Sequence, residues 1–413
     1  MKILIISSYL PAPQWGASAR SYYLLHALAE YHEVCLLALA SPEEVQISAQ
    51  LPLVQELNGR VTLLPFQPGG AKRRQQIETL LRGKSYWLEA CILPEVQDAI
   101  DALYVQEPFD AVLYEGLFVA GYRLPPGVKI VLDQHNIEQE LLWRTYQNEK
   151  EPVRKIYNWL EYRVLKRGEL ERCQQADLVL TTSGREQEWL QTRLSGQQIA
   201  VVPNGVDLER FQVDPARQEQ AGRIIFTGTM DYYPNSTAVL AFARDYWPYI
   251  RRQIPGATWQ IVGRKPPPEV ERLGALPGVV VTGSVPDTRP YLAEAEVAIV
   301  PLSVGSGTRL KILEALAMQK AVVSTSIGCE GLELEANTHL LVADEPGAFV
   351  EAVVSLLRDA EKRARLGSAG RALVEQRYGW GYCGELLTRA VSVLTGDTVS
   401  SPVGTSFSAS EGD

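Results

Sequence analysis

The chain is short of sulfur, imidazole and positive charge. Its 413 residues include five cysteines, four histidines and three methionines. Cys35, Cys91, Cys173, Cys329 and Cys383 are scattered without a CxxC pair. An odd, unclustered set fits a reducing compartment better than a disulfide framework. The histidines stand far apart in sequence, so no structural zinc site is expected. A net charge of −9 lacks the basic footprint of a nucleic-acid binder. No stretch reaches the roughly 18 uncharged apolar residues that a membrane span needs. The opening KILIISSYLPAP is also too short an apolar run for a signal sequence. Together these absences predict a globular, cytoplasmic chain.

What is present is alternation. Short β-branched runs at Ile3–Ser7, Val34–Leu37, Val61–Leu64, Ala111–Tyr114, Ile130–Asp133 and Leu178–Thr181 read as buried strands. The pattern returns at Ile224–Thr227, Trp259–Val262, Val279–Thr282, Val297–Val300 and Ala321–Ser324. Amphipathic stretches such as Ala19–Glu30, Val96–Val105 and Leu310–Met318 lie between them. Continuous apolar strands separated by helices predict parallel sheets covered on both faces. There are too many strands for one sheet, and a polar run near Pro203–Gln220 offers a break. The expected fold is therefore α/β, with two Rossmann-like doubly wound domains facing across a cleft. They would cover 1–202 and 203–378. The Ser/Gly/Thr-rich tail over 396–413 reads as disordered.

Ligands of open α/β sheets bind at the carboxyl ends of strands, and the chemistry-bearing residues of this sequence follow strands. The richest segment is GSGTRLKILEA, after the run VAIVPL and opening a helix. Gly305 and Gly307 let backbone N–H groups of the Ser306–Thr308 loop approach an anion, and the helix dipole adds to them. Arg309 and Lys311 supply positive charge. Glu314, a turn further on, suits ribose hydroxyls. The plainer reading is a helix cap with two solvated cations. In the first half, Gly16 sits in a small-residue loop before the first helix. Arg20, one turn later, points either to a ligand or to solvent. His135, in DQHNIE, is the one histidine set in a polar cluster after a strand, either a satisfied structural histidine or a candidate for acid–base work. Glu138 is either a nucleophile or, the simpler reading, a first-turn helix carboxylate.

The stretch GSGTRLKILEALAMQKAVVST resembles the donor-binding segment of glycosyltransferase family four, whose fold is called GT-B. VVPNGVD, FTGTMDYYPN, IVGRKPP and VTGSVPDTRPYLAEAEVAIVPL resemble other family segments in order and spacing, and YGWGYCGELL resembles its closing helix, here 379–395. The resemblance implies a retaining hexose transfer from a nucleotide-diphosphate sugar, without an obligatory metal. It assigns Glu314 to the second glutamate of a pair spaced eight apart. The first would fall at Ser306, so sugar contacts pass to backbone groups of Gly307 and Thr308. Thr229, Met230 and Asp231, following Gly228, stand where many relatives carry an arginine and a lysine, leaving Arg309, Lys311 and Arg264 to hold the diphosphate. His135 would position the donor sugar. The implied partners are a nucleotide-sugar donor and a glycan or lipid-linked acceptor of polysaccharide assembly, with no nucleic acid.

Two basic, aromatic stretches suit a peripheral contact with the inner face of a membrane. Ala71–Trp87 carries a net +4 and Lys150–Arg172 a net +3. The alternative functions are a nucleotide-sugar epimerase on the same fold and a non-catalytic nucleotide-binding scaffold.

Overall fold

The computed structural model describes residues 1–13, 16–67, 72–214, 216–305 and 307–394. Ser306 and the tail over 396–413 lie outside the described residues. The chain forms two compact units. One comprises Met1–Pro203 with the chain from Cys383, and the other Asn204–Tyr382.

The first unit holds seven strands: β1 (Lys2–Ser7), β2 (Glu33–Ala40), β3 (Val61–Pro65), β4 (Ala111–Glu115), β5 (Lys129–Gln134), β6 (Leu178–Thr181) and β7 (Gln198–Val201). They pair in the order β3-β2-β1-β4-β5-β6-β7, every pair parallel. Residues of β1, such as Leu4 and Ile6, are buried on a sheet covered by helices, which is why the run shows no polar alternation. The closing helix Trp380–Ser392 contributes to this unit from Cys383 onward, and Gly384 abuts Ala27 so closely that a Cβ would lie 2.6 Å from the alanine methyl.

The second unit adds β8 (Arg223–Thr227), β9 (Thr258–Val262), β10 (Val279–Gly283), β11 (Val297–Val300), β12 (Ala321–Ser324) and β13 (Leu341–Val342). Their order is β10-β9-β8-β11-β12-β13, again parallel. An aromatic cluster of Phe242, Trp259 and Phe349 fills the core on one side.

Sequence patterning missed β7 and β13. β7 begins on exposed Gln198 at a sheet edge and β13 has only two residues, so the apolar run of each is short. In each sheet the chain reverses its direction of strand addition once, between β1 and β4 and between β8 and β11. Such switch points open a crevice at the strand carboxyl ends.

Candidate active site

At the first switch point two acidic strand ends lie side by side. Glu115 closes β4 and pairs in register with Asp133 of β5 and with Ser7 of β1. Gly116 follows with φ +90°, turning the chain away where a side chain would be strained. The helix Gly16–Ala29 brings Arg20 and Ser21 over these ends. Arg20 grips Asp133 with a fork, Nε to Oδ2 at 2.8 Å and Nη2 to Oδ1 at 2.7 Å. Its Nη1 donates to the carbonyls of Val202 and Pro203. Arg20 therefore points inward, about 1 % exposed, and the solvent alternative falls. Ser21 donates to Glu115 at 2.6 Å and shares a hydrogen bond with the Tyr9 hydroxyl.

His135 stands just past β5. Its Nε2 lies 3.2 Å from Asp133 and 3.3 Å from Glu115. Burial pulls the imidazole down, but the Asp133 charge, with Glu115 behind it, outweighs burial and holds the group up at about 9. Burial would likewise raise Asp133, yet the Arg20 and His135 charges keep its carboxyl well below the usual range. The two carboxylates thus favour the protonated form of the imidazole. Glu115, Asp133 and His135 bring potential ligand atoms within 4.8 Å of one another. However, Arg20 already occupies both Asp133 oxygens, so this donor set suits organic cations rather than a metal ion.

Beneath this loop lies a second group of acids. Glu138 opens the helix Glu138–Asn148 and is buried. Its N–H and that of Gln139 are capped from a distance by Glu169 of the helix Pro152–Gln175, at 2.8 and 3.0 Å. Gln134 also donates to Glu169, at 2.6 Å. Burial pushes Glu138 up to about 7, and burial plus the Glu138 charge pushes Glu169 up to about 8. Glu138 is thus a first-turn helix carboxylate. Gly16 opens its helix with φ +39° and stands exposed, and no side chain among the described residues lies within 4 Å of a Cβ placed there.

The second unit brings most of the remaining candidates together. After β8, Gly228 passes close to Lys311: a Cβ there would lie 2.9 Å from the ammonium. Gly263, after β9, passes closer still, and a Cβ on it would stand 1.7 Å from the Gly228 carbonyl oxygen. The Lys311 ammonium donates to Asn235 at 2.8 Å, and Asn235 in turn donates to the Thr229 carbonyl at 2.9 Å. The Thr229 hydroxyl receives Arg264 Nε at 3.3 Å. Thr308 receives Asn204 of the VPNGVD turn at 2.7 Å. Gly205 in that turn packs under the Trp380 ring, where a Cβ would lie 2.7 Å from ring atoms.

Arg309 is the N-cap of the helix Leu310–Ala317, which no side chain caps among the described residues. Its guanidinium folds back on its own loop, donating to the Gly307 carbonyl and lying against Gly305. Burial, and then the neighbouring Arg309 charge, bring the Lys311 ammonium down to about 7. Two cations that disfavour each other beside an uncapped helix N-terminus describe a receptor for a polyanion. Glu314 is one turn on. Burial pushes its carboxyl up against the pull of Lys311 and Arg210, and no hydrogen bond to it forms among the described residues.

Sequence reasoning gave no role to Glu115, Asp133, Ser21, Asn235 or Arg210. Glu115 carried a signal: a lone charge ending the apolar run AVLY before a glycine. Asn235 carried none, because its role depends on contacts with residues distant in sequence.

Comparison with known proteins bears on the family and the fold. A family model described as Glycosyltransferase Family 4 matches residues 16–210, and one described as Glycosyl transferases group 1 matches residues 221–359. A GDP-mannose-dependent alpha-(1-6)-phosphatidylinositol monomannoside mannosyltransferase of Mycobacterium tuberculosis is 28 % identical over 221 residues. That match covers 48 % of this chain and 55 % of the mycobacterial protein, so the chain spans about half the length of this relative. Sucrose-phosphate synthase from Thermosynechococcus elongatus superposes with a TM-score of 0.72 at 18 % identity, over 96 % of this chain and 100 % of that one. Anabaena HepE in complex with UDP-glucose gives 0.65 at 15 % identity, over 95 % and 100 %. These likenesses show the GT-B fold.

Proposed function

The chain belongs to the group 1/family 4 glycosyltransferases, and on that premise we propose that it moves a hexose from a nucleotide-diphosphate sugar to a glycan or lipid-linked acceptor, with retention at the anomeric carbon. The observation that carries this reading is the convergence of Gly228, Arg309, Lys311 and an uncapped helix start in the second unit. Negative charge develops on the leaving diphosphate as the glycosidic bond breaks. Arg309, Lys311 and the first-turn N–H groups stabilise it where the charge appears. Arg264, held by Thr229, adds a third cation. Glu314 takes the ribose hydroxyls. Backbone groups of Gly307 and Thr308 meet the sugar in place of the family's first glutamate, which falls at Ser306.

His135 hydrogen-bonds the donor sugar as a donor. The acceptor proton passes to an oxygen of the departing phosphate, because an imidazolium cannot take it. No step requires a metal.

The acceptor reading draws on the first unit's surface. The helix Pro152–Gln175 exposes Val153, Ile156, Trp159 and Leu160 among Arg154, Lys155 and Arg163. The nearby helix Lys72–Leu81 exposes Ile77 and Leu81 beside Arg73 and Arg74. Apolar side chains ringed by cations suit an anionic bilayer surface. No described helix is long and apolar enough to cross a membrane. Contact from the cytoplasmic face would bring a lipid-linked acceptor within reach.

The test is incubation with UDP-, GDP- and ADP-hexoses, following nucleoside diphosphate release and the anomeric configuration of the product by NMR. Release of one diphosphate with a retained α-linkage from an α-donor supports transfer. A new epimer still attached to its nucleotide would identify the epimerase instead.

A further inference from the structure

The strand ends of the first unit hold more negative charge than one arginine can balance. Glu115 and Asp133 are neighbours in register, each with a side chain about 1 % exposed. Two carboxylates at such a spacing cannot both stay ionised away from water unless two positive charges meet them. Arg20 supplies one, and its Nε and Nη2 both go to Asp133. Glu115 receives the Ser21 hydroxyl, which brings no charge.

The other groups packed around the cluster bring none either. Tyr9, on the loop after β1, keeps its proton under burial and the Glu115 charge. Glu138, opening the next helix, is itself acidic and pushed up by burial. Glu186, in the helix Gly184–Gln191, is likewise pushed up by burial. Cys383, in the closing helix, is held as a thiol by burial. A neutral imidazole would leave the quartet of Arg20, Asp133, Glu115 and His135 with one uncompensated buried negative charge.

The geometry points the same way. Both carboxylates address one atom, Nε2 of His135, at 3.2 and 3.3 Å. The other ring nitrogen, Nδ1, has no partner among the described residues. We infer that Glu115 is a positioning residue that fixes His135 as an imidazolium, so that His135 meets an oxygen of the nucleotide sugar through Nδ1–H as a charged donor and never as a base. The identity of that oxygen rests on the glycosyl-transfer reading; the charge state does not.

The two can be tested apart. The full chain is labelled with 15N-histidine and titrated by NMR from pH 5.5 to 10, with His135 assigned by its loss in His135→Gln. The measurement needs no substrate. The expected wild-type result is a His135 protonated on both nitrogens through pH 8 and titrating at about 9. His26 and His32, both lowered by burial, titrate below their ordinary value. In Glu115→Gln the His135 midpoint falls by roughly one pH unit or more, as removal of a close opposite charge requires. Should that variant fold poorly, Glu115→Asp keeps the charge but draws it back from Nε2, and a smaller fall is expected. The alkaline limb of kcat/KM, where transfer can be assayed, moves with the same midpoint. If the NMR result holds but no nucleotide sugar is turned over, the charge inference stands and the transferase reading fails. A wild-type His135 that titrates at or below pH 6.5, or a midpoint unmoved by either Glu115 substitution, overturns the inference.

Discussion

The Lys311 ammonium donates to Asn235 at 2.8 Å while lying 3.9 Å from the centre of the Phe226 ring. A ring face and a neutral amide carry no anionic charge to balance an ammonium, and Arg309 nearby opposes it. Burial and that repulsion bring the group down to about 7, so it is only partly charged at neutral pH before a ligand arrives. A bound diphosphate favours the charged form and raises the group again. Nucleoside diphosphate binding is therefore expected to take up protons above pH 7, and affinity should fall as pH rises from 7 to 9. Calorimetry in buffers of different ionisation enthalpy reads the uptake. Lys311→Met should abolish it and weaken binding by about 1.5–3 kcal/mol, the worth of one charge-assisted contact.

The Arg20–Asp133 pair makes a prediction about folding. Removing one partner of a buried ion pair leaves the other uncompensated, a loss of about 3–5 kcal/mol. Arg20→Met should lose that much in denaturant unfolding, and Arg20→Met/Asp133→Asn should recover part of it. Asp133 has a depressed folded pKa. Its contribution to stability is fully present above the unfolded value of about 3.9 and is lost as pH falls towards the folded value.

Glu138 and Glu169 act with the opposite sign. Each carboxyl holds its proton longer in the folded state, up to about 7 and about 8. Their contribution is present below the unfolded carboxylate value and drains away as pH climbs through those folded values. The melting temperature should decline between pH 6 and 8.5. Glu138→Gln should flatten that decline by removing one of the two titrations, as a calorimetric series across pH can show.

Apolar exposure on the helix Pro152–Gln175 predicts lipid attachment. Val153 is 73 % and Ile156 61 % exposed. Val153→Asp/Ile156→Asp should abolish co-sedimentation with vesicles containing anionic lipid while leaving nucleotide binding unchanged. Wild-type co-sedimentation should weaken as salt is raised. Failure of the wild type to sediment with such vesicles at low salt would remove the membrane contact from the account.

The sheets were legible because buried parallel strands read as unbroken apolar runs, as KILIIS and VAIV do. The edge strand β7 was less legible because its apolar run is short and only half-buried. The Gly305–Glu314 segment was legible because its glycines, cations and glutamate are contiguous. The Asn235 link to Lys311 was not, since 76 residues separate them. Nor was the inward turn of Arg20. Its partner lies 113 residues away, and a helical arginine faces solvent as readily as a buried carboxylate on sequence grounds alone. The charge balance around His135 was hidden because Asp133, two residues before it, and Glu115, from another strand, converge on one ring nitrogen only in the folded chain.

The central claim is that the second unit holds a nucleoside diphosphate through the Arg309 loop. The most direct measurement is calorimetric titration of wild type and Arg309→Ala with UDP, GDP and ADP. The account predicts that wild type binds one of the three and that Arg309→Ala binds it weaker by about 1.5–3 kcal/mol. If wild type binds none of them, or if the substitution leaves affinity untouched, the diphosphate site is misassigned.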